Sequence, residues 1–175
     1  MRISTAITTT ATVNSVYIDY IAQQAFRDTD MKEIGIGVIG TAFMGKAHSI
    51  AYASAGTAFG GNLRPRLEMV CDQDPQVAED KRAEMGFARC TTNYMDVVND
   101  PKVDLISICV PNSVHKEIAI AALAAGKHVW CEKPMSTNLA DSQAMVDAAE
   151  ASDQKTIVGY NLSLIHISEP TRPQA

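Results

Sequence analysis

Residues 34–45 read IGIGVIGTAFMG, and the fold turns on how this stretch is read. IGIGVI is an apolar run of strand length. It ends at Gly40, and the small residues Ala42 and Gly45 then lead into a helical pattern. A strand delivered through a glycine turn into a helix suits a dinucleotide. The backbone must turn sharply and come close to a pyrophosphate, whose charge is held at the helix N-terminus. The signature G-x-G-x-x-G is met at its first and third glycines by Gly40 and Gly45, with Ala42 in the second place. One extra methyl there is tolerable if φ is negative. Gly40, Thr41, Ala42, Phe43, Met44 and Gly45 are therefore candidate cofactor-binding residues. The competing reading is a glycine turn that only packs helix on strand; its place between a strand and a helix favours the nucleotide.

Outward from this turn, short apolar runs alternate with helical patterns. A helix is expected to about Ala55, then the turn-rich GTAFGGNLRP (56–65) and a strand LEMVCD (67–72). QVAEDKRAEMG (76–86) predicts a helix closed by Gly86. A short strand over 88–91 and a helix over 94–98 follow. VDLISICV (103–110) is a continuous apolar run, as in a central parallel strand buried on both faces. HKEIAIAALAAG (115–126) predicts a helix, KHVWCE (127–132) a strand, LADSQAMVDAAEAS (139–152) a helix and KTIVGY (155–160) a last strand. Strands separated by helices mean repeated βαβ units, so the expected fold class is α/β, a doubly wound parallel sheet of the Rossmann type.

Asp72 closes the second strand in CDQDP. A carboxylate there accepts the ribose hydroxyls of an adenosine and repels a 2′-phosphate, which favours NAD over NADP without closing off NADP. The interval from Gly45 exceeds the usual ~20 residues, and a loop over 55–65 is expected to account for it. Asp74 precedes Pro75 and reads as a helix cap.

The composition bounds the function. The chain has 175 residues, 46% of them hydrophobic and 20% charged, which supports one domain with a real core. A net charge of −5 argues against a nucleic-acid or anionic-membrane surface. No apolar run approaches the ~20 residues of a membrane span. Cys71, Cys90, Cys109 and Cys131 form no C-x-x-C pair and read as reduced thiols of a cytoplasmic protein; no metal site is expected. His48 reads as a helix-surface or packing residue and His128 as structural. Met85, Met95 and Met145 read as core fillers.

Two later stretches, VPNSVH (110–115) and CEKP (131–134), sharpen this reading. With GTAFMG, CDQDP and GYN (159–161), in that order, the chain from 31 to 161 resembles the nucleotide domain of the Gfo/Idh/MocA family, the relatives of glucose–fructose oxidoreductase and inositol dehydrogenase. The resemblance implies that Val110, Pro111, Asn112 and His115 border the cofactor, that Glu132 and Lys133 lie near the nicotinamide ring, and that Asn161 marks the domain exit. It implies that Lys133 positions substrate and nicotinamide, and that the Lys133–Pro134 bond is cis. The reaction it implies is hydride transfer between NAD(P) and a sugar or polyol. The base that takes the proton would come from a second α/β domain, which also carries the interface of a homo-oligomer. A stand-alone dinucleotide-binding or regulatory module is the alternative, and a lysine at the nicotinamide end argues against it.

The two ends raise expectations of their own. MKEIGIGVIG reads as a natural start at Met31, making residues 1–30 an upstream extension; the alternative is a genuine arm that docks on a partner subunit. LSLIHISEPTR (162–172) is one-frame translation of a transposase-type sequencing adapter, so residues 162–175 read as an adapter-derived tail. The substrate domain is then missing, and the chain is expected to bind cofactor without turnover.

Overall fold

The computed structural model describes residues 31–160. The expectations for residues 1–30 and 162–175, and for Asn161, lie outside the described residues.

Six parallel strands form one sheet: β1 (Lys32–Ile39), β2 (Leu63–Cys71), β3 (Arg89–Thr91), β4 (Leu105–Ile108), β5 (His128–Cys131) and β6 (Thr156–Val158). Their spatial order is β3-β2-β1-β4-β5-β6. The chain starts in the middle, winds outward one way, then returns and winds the other way. The connections are α1 (Phe43–Phe59), α2 (Pro75–Met85), α3 (Tyr94–Asn99), α4 (His115–Ala124) and α5 (Leu139–Glu150). Helices α1 and α2 pack on one face, and α3, α4 and α5 on the other. The doubly wound sheet is the one expected, and its reversal point lies between β1 and β4.

Side-chain alternation along β1 shows why both faces hold. Ile36 and Val38 enter one core with Val70 and Phe87, while Ile39 enters the other with Ile106, Ile108 and Val97. Ile36, Val38, Val70, Ile106 and Ile108 are each no more than 1% exposed. Burying a residue of this size on both faces is worth roughly 1.5–3 kcal/mol per side chain. Met145 belongs to the core, and Met85 and Met95 pack against it. Cys71, Cys109 and Cys131 are buried, Cys90 is partly exposed, and all four are free. Among the described residues no helix is long and apolar enough to cross a membrane.

One expectation needs correcting. The stretch 55–65 is not a loop: α1 continues through Gly56 to Phe59, and β2 begins at Leu63. Only residues 60–62 connect them, with Gly60 and Gly61 both at positive φ. Pro65 sits in β2 without harm because β2 pairs with β3 only from Met69 onward, so that edge carries no ladder at Pro65. The long interval between Gly45 and Asp72 therefore comes from a longer helix and a longer strand. Asp74 does cap α2, accepting from the Gln76 and Val77 amides, and Gly86 closes that helix in the left-handed conformation.

Candidate functional site

The C-terminal ends of the parallel strands meet at one edge, where a cleft of about 440 Å³ opens between the loops after β1, β2, β3 and β4. In open α/β sheets this edge, at the reversal point, is where ligands bind.

Gly40 leaves β1 at φ 96, and a Cβ there would lie 2.5 Å from the Cys109 carbonyl oxygen. Gly45 lies in the first turn of α1, and a Cβ there would lie 2.0 Å from the Gly40 carbonyl oxygen. Only glycine at both places lets the helix start directly against the strand end. Ala42, the N-cap of α1, has φ −65. This is the negative value that makes an alanine acceptable in place of the middle glycine. No side chain caps α1 and its first turn holds no acidic residue, so its free amide donors and positive dipole end stay available for an anion. Gly40, Thr41 and Ala42 line the cleft; Phe43 is exposed, and Met44 turns back into the core.

Asp72 lines the same cleft from the end of β2. The Thr41 hydroxyl donates to Asp72 Oδ2, and the Asp74 amide donates to Oδ1 over 3.3 Å. The carboxylate is thus held in a fixed orientation beside the glycine turn. Each of its oxygens keeps a further lone pair for a ligand hydroxyl.

Val110 and Pro111 form the opposite lip. Asn112 begins a 3-10 turn (Asn112–Val114) leading into α4, outside the cleft lining. His115, the first residue of α4, does not face the cleft. It is 1% exposed, with Nε2 lying 2.8 Å from the Val110 carbonyl oxygen and Nδ1 3.1 Å from that of Pro134. Its ring ties the loop after β4 to the loop after β5. The Lys133–Pro134 bond is cis, and Lys133 is exposed at that strand end.

Glu132 turns inward. It is 6% exposed, and its Oε1 lies 2.9 Å from His48 Nε2. His48 is therefore no surface residue: only 8% exposed, it faces Glu132 on one side and Ser107 on the other. Hydrophobic period placed it on α1, but nothing local marks a partner on a distant strand. His128 is structural, its Nδ1 accepting from the Lys155 amide. Thr92, Asn93, Tyr94 and Glu117 also line the cleft and were not singled out in the sequence. The rule that loops at the strand C-termini bind ligands would have drawn attention to residues 92–94, which follow β3.

Residues 34–160 match the family model described as oxidoreductase family, NAD-binding Rossmann fold. The chain belongs to the Gfo/Idh/MocA family. Levoglucosan dehydrogenase of Pseudarthrobacter phenanthrenivorans is 36% identical over 132 residues, covering 75% of this chain and 34% of that protein. Myo-inositol 2-dehydrogenase of Thermotoga maritima is 32% identical over 130 residues, covering 72% and 36%. Among solved structures, levoglucosan dehydrogenase in complex with NADH and levoglucosan superposes with a TM-score of 0.72 at 35% identity, covering 74% of this chain and 35% of that one. An NAD-binding oxidoreductase from Klebsiella pneumoniae gives 0.72 at 41% identity, covering 75% and 35%. This member of the family thus spans about a third of the length of the curated relatives it matches.

Proposed function

We propose that this chain is the cofactor-binding part of an NAD-dependent oxidoreductase acting on a sugar or polyol. The observation that carries the reading is the Asp72 carboxylate, held by Thr41 beside the uncapped start of α1. Together they offer an anion site for a pyrophosphate and an acceptor for two ribose hydroxyls. A 2′-phosphate brought to the same place would meet a fixed negative charge. When bound, the nicotinamide supplies the carbon that takes or gives the hydride.

This chain's own residues bind and orient. The amides of residues 41–45 hold the pyrophosphate, Asp72 holds the ribose, and Val110, Pro111 and Asn112 border the path toward β5. Lys133, exposed at the end of β5, places a cation where it can orient a substrate hydroxyl. The likeness to levoglucosan and inositol dehydrogenases supports a sugar or polyol as the substrate class. The acid–base group is assigned to a second domain, together with the surface of a homo-oligomer. Free, mostly buried thiols support a reducing, cytoplasmic setting.

Titration of the purified chain with NADH and with NADPH, followed by fluorescence, tests the cofactor assignment. NADH is expected to bind the tighter. A clear preference for NADPH would remove the role given to Asp72.

A further inference from the structure

The buried pair of His48 and Glu132 belongs to a longer chain of polar groups. Tyr52 Oη lies 2.7 Å from Ser107 Oγ, Ser107 Oγ lies 3.1 Å from His48 Nδ1, and His48 Nε2 lies 2.9 Å from Glu132 Oε1. The remaining carboxylate oxygen of Glu132 accepts from the Lys133 amide over 3.4 Å. Three elements are joined: α1 carries Tyr52 and His48, β4 carries Ser107, and Glu132 and Lys133 follow directly on β5.

Proton accounting gives the chain a direction. Burial pushes the Tyr52 hydroxyl up to about 12, so it keeps its proton and can donate it to Ser107 Oγ. Ser107, itself fully buried, then has its own proton for His48 Nδ1. With Ser107 donating to Nδ1, the imidazole carries a hydrogen on Nε2 and donates it to Glu132. The His48 ring is clamped by Trp130, whose ring centroid lies 4.9 Å away in an edge-on contact. Gly159 lies on the other side: a Cβ there would lie 2.7 Å from Glu132 Oε1, so a larger residue would push the carboxylate from this position. A buried carboxylate held this firmly leaves its second oxygen a fixed acceptor under the next amide.

The sheet topology says what that acceptor serves. The strand order reverses between β1 and β4, and a dinucleotide crosses the edge there. With the adenosine ribose at Asp72 on the β2 side, the other half of the cofactor extends toward the ends of β4 and β5. We infer that His48 is a positioning residue for the nicotinamide end: by holding Glu132, it fixes the Lys133 backbone and the direction in which the Lys133 side chain leaves the strand. This inference rests on the NAD reading above.

The test compares NADH with ADP-ribose, which has the pyrophosphate and both riboses but no nicotinamide, on the 175-residue chain. His48→Asn keeps an amide at the Nδ1 position, within reach of Ser107, but cannot reach Glu132. His48→Gln puts an amide donor at the Nε2 position. His48→Asn is expected to weaken NADH about tenfold while ADP-ribose changes less than about twofold, and His48→Gln to restore most of the NADH affinity. Equal weakening of both ligands by His48→Asn, or no weakening of either, would overturn the positioning role while leaving the NAD reading intact. A failure of His48→Gln to rescue overturns it too. If the unaltered chain binds neither ligand, the NAD reading itself falls.

Discussion

His48 and Glu132 stand 84 positions apart in the chain and meet at 2.9 Å in a nearly dry interior. The contact bridges the two halves of the sheet, since α1 follows β1 and Glu132 follows β5. A buried carboxylate without partners would cost several kcal/mol. Here it is satisfied on both oxygens, by the imidazole and by the Lys133 amide.

Replacing Glu132 should therefore separate charge from shape. Glu132→Ala strands the His48 donor and opens space beside Gly159 and Trp130, and is expected to cost about 2–3 kcal/mol in urea unfolding. Glu132→Gln keeps an acceptor for His48 and nearly the same volume, and should cost clearly less. Equal losses for both variants would show that the ionised carboxylate, rather than the hydrogen-bond geometry, sets the stability.

At the glycine turn the expected effect is steric. Gly45→Ala drives a methyl to within 2.0 Å of the Gly40 carbonyl oxygen, which is backbone and cannot swing aside. The start of α1 must move away from β1. A stability loss of about 1–3 kcal/mol is expected, with loss of NADH binding. Ala42→Gly is the control: φ is already −65 there, so removing the methyl relieves no strain and should not raise the melting temperature. Thermal denaturation and NADH titration of both variants check this.

Cofactor choice should respond to the charge at position 72. Asp72→Asn removes the repulsion of a 2′-phosphate while keeping a hydrogen-bonding group, and the preference for NADH over NADPH is expected to fall roughly tenfold or more. Thr41→Val frees the carboxylate but keeps its charge, so NADH should bind less well with no gain for NADPH. Paired titrations distinguish the two; a gain in NADPH affinity with Thr41→Val would mean that orientation, not charge, does the selecting.

Much of this site was readable from residue order, and the reason is local. The turn from β1 into α1, the cap at Asp74 and the stop at Gly86 are decided by a few adjacent residues, each with its own backbone requirement. The α/β alternation follows from apolar runs separated by helix-length intervals. Long-range pairing has no such local sign. Nothing in the sequence near Glu132 announces His48, and nothing there places the His115 ring between the Val110 and Pro134 carbonyls. The boundary of α1 was missed for a different reason. Gly56 resembles a helix stop, yet a single glycine costs only about 1 kcal/mol inside a helix, and packing on β2 outweighs it.

Alkaline pH should weaken the fold. Burial pushes the thiols of Cys71, Cys109 and Cys131 up to about 12 from an ordinary 9.0. It pushes Tyr52 up to about 12 from 10.0. All four groups keep their protons in the folded chain at a pH where the unfolded chain releases them. Above pH 9 the folded state thus binds more protons, and stability falls as pH rises toward 12. The stabilisation is fully present below the unfolded values. Urea midpoints measured between about pH 8 and about pH 11 should decline steadily, and Cys109→Ser should flatten part of that decline. A flat profile would mean that these thiols are not shielded from water as the fold places them.

The last expectation concerns turnover. The described residues place the uncapped start of α1, the Asp72 carboxylate and the exposed Lys133 cation on one sheet edge. An oxidation of a sugar hydroxyl also needs a base across the nicotinamide ring and a second wall that excludes water and holds the substrate. The chain spans about a third of the length of the levoglucosan and myo-inositol dehydrogenases it matches, and the matched third is the nucleotide domain. Lack of a placed base alone typically costs about 10²–10⁴-fold in rate. Lost substrate positioning can add ~7–11 kcal/mol to the barrier. The 175-residue chain is therefore expected to bind NADH yet give no detectable NAD reduction with levoglucosan, inositol or glucose. Residues 31–160 joined to the second domain of a family member should show activity, and Lys133→Ala in that fusion should abolish most of it. Measurable turnover by the 175-residue chain alone would show that its own residues supply the base, and would overturn the assignment of proton transfer to a second domain.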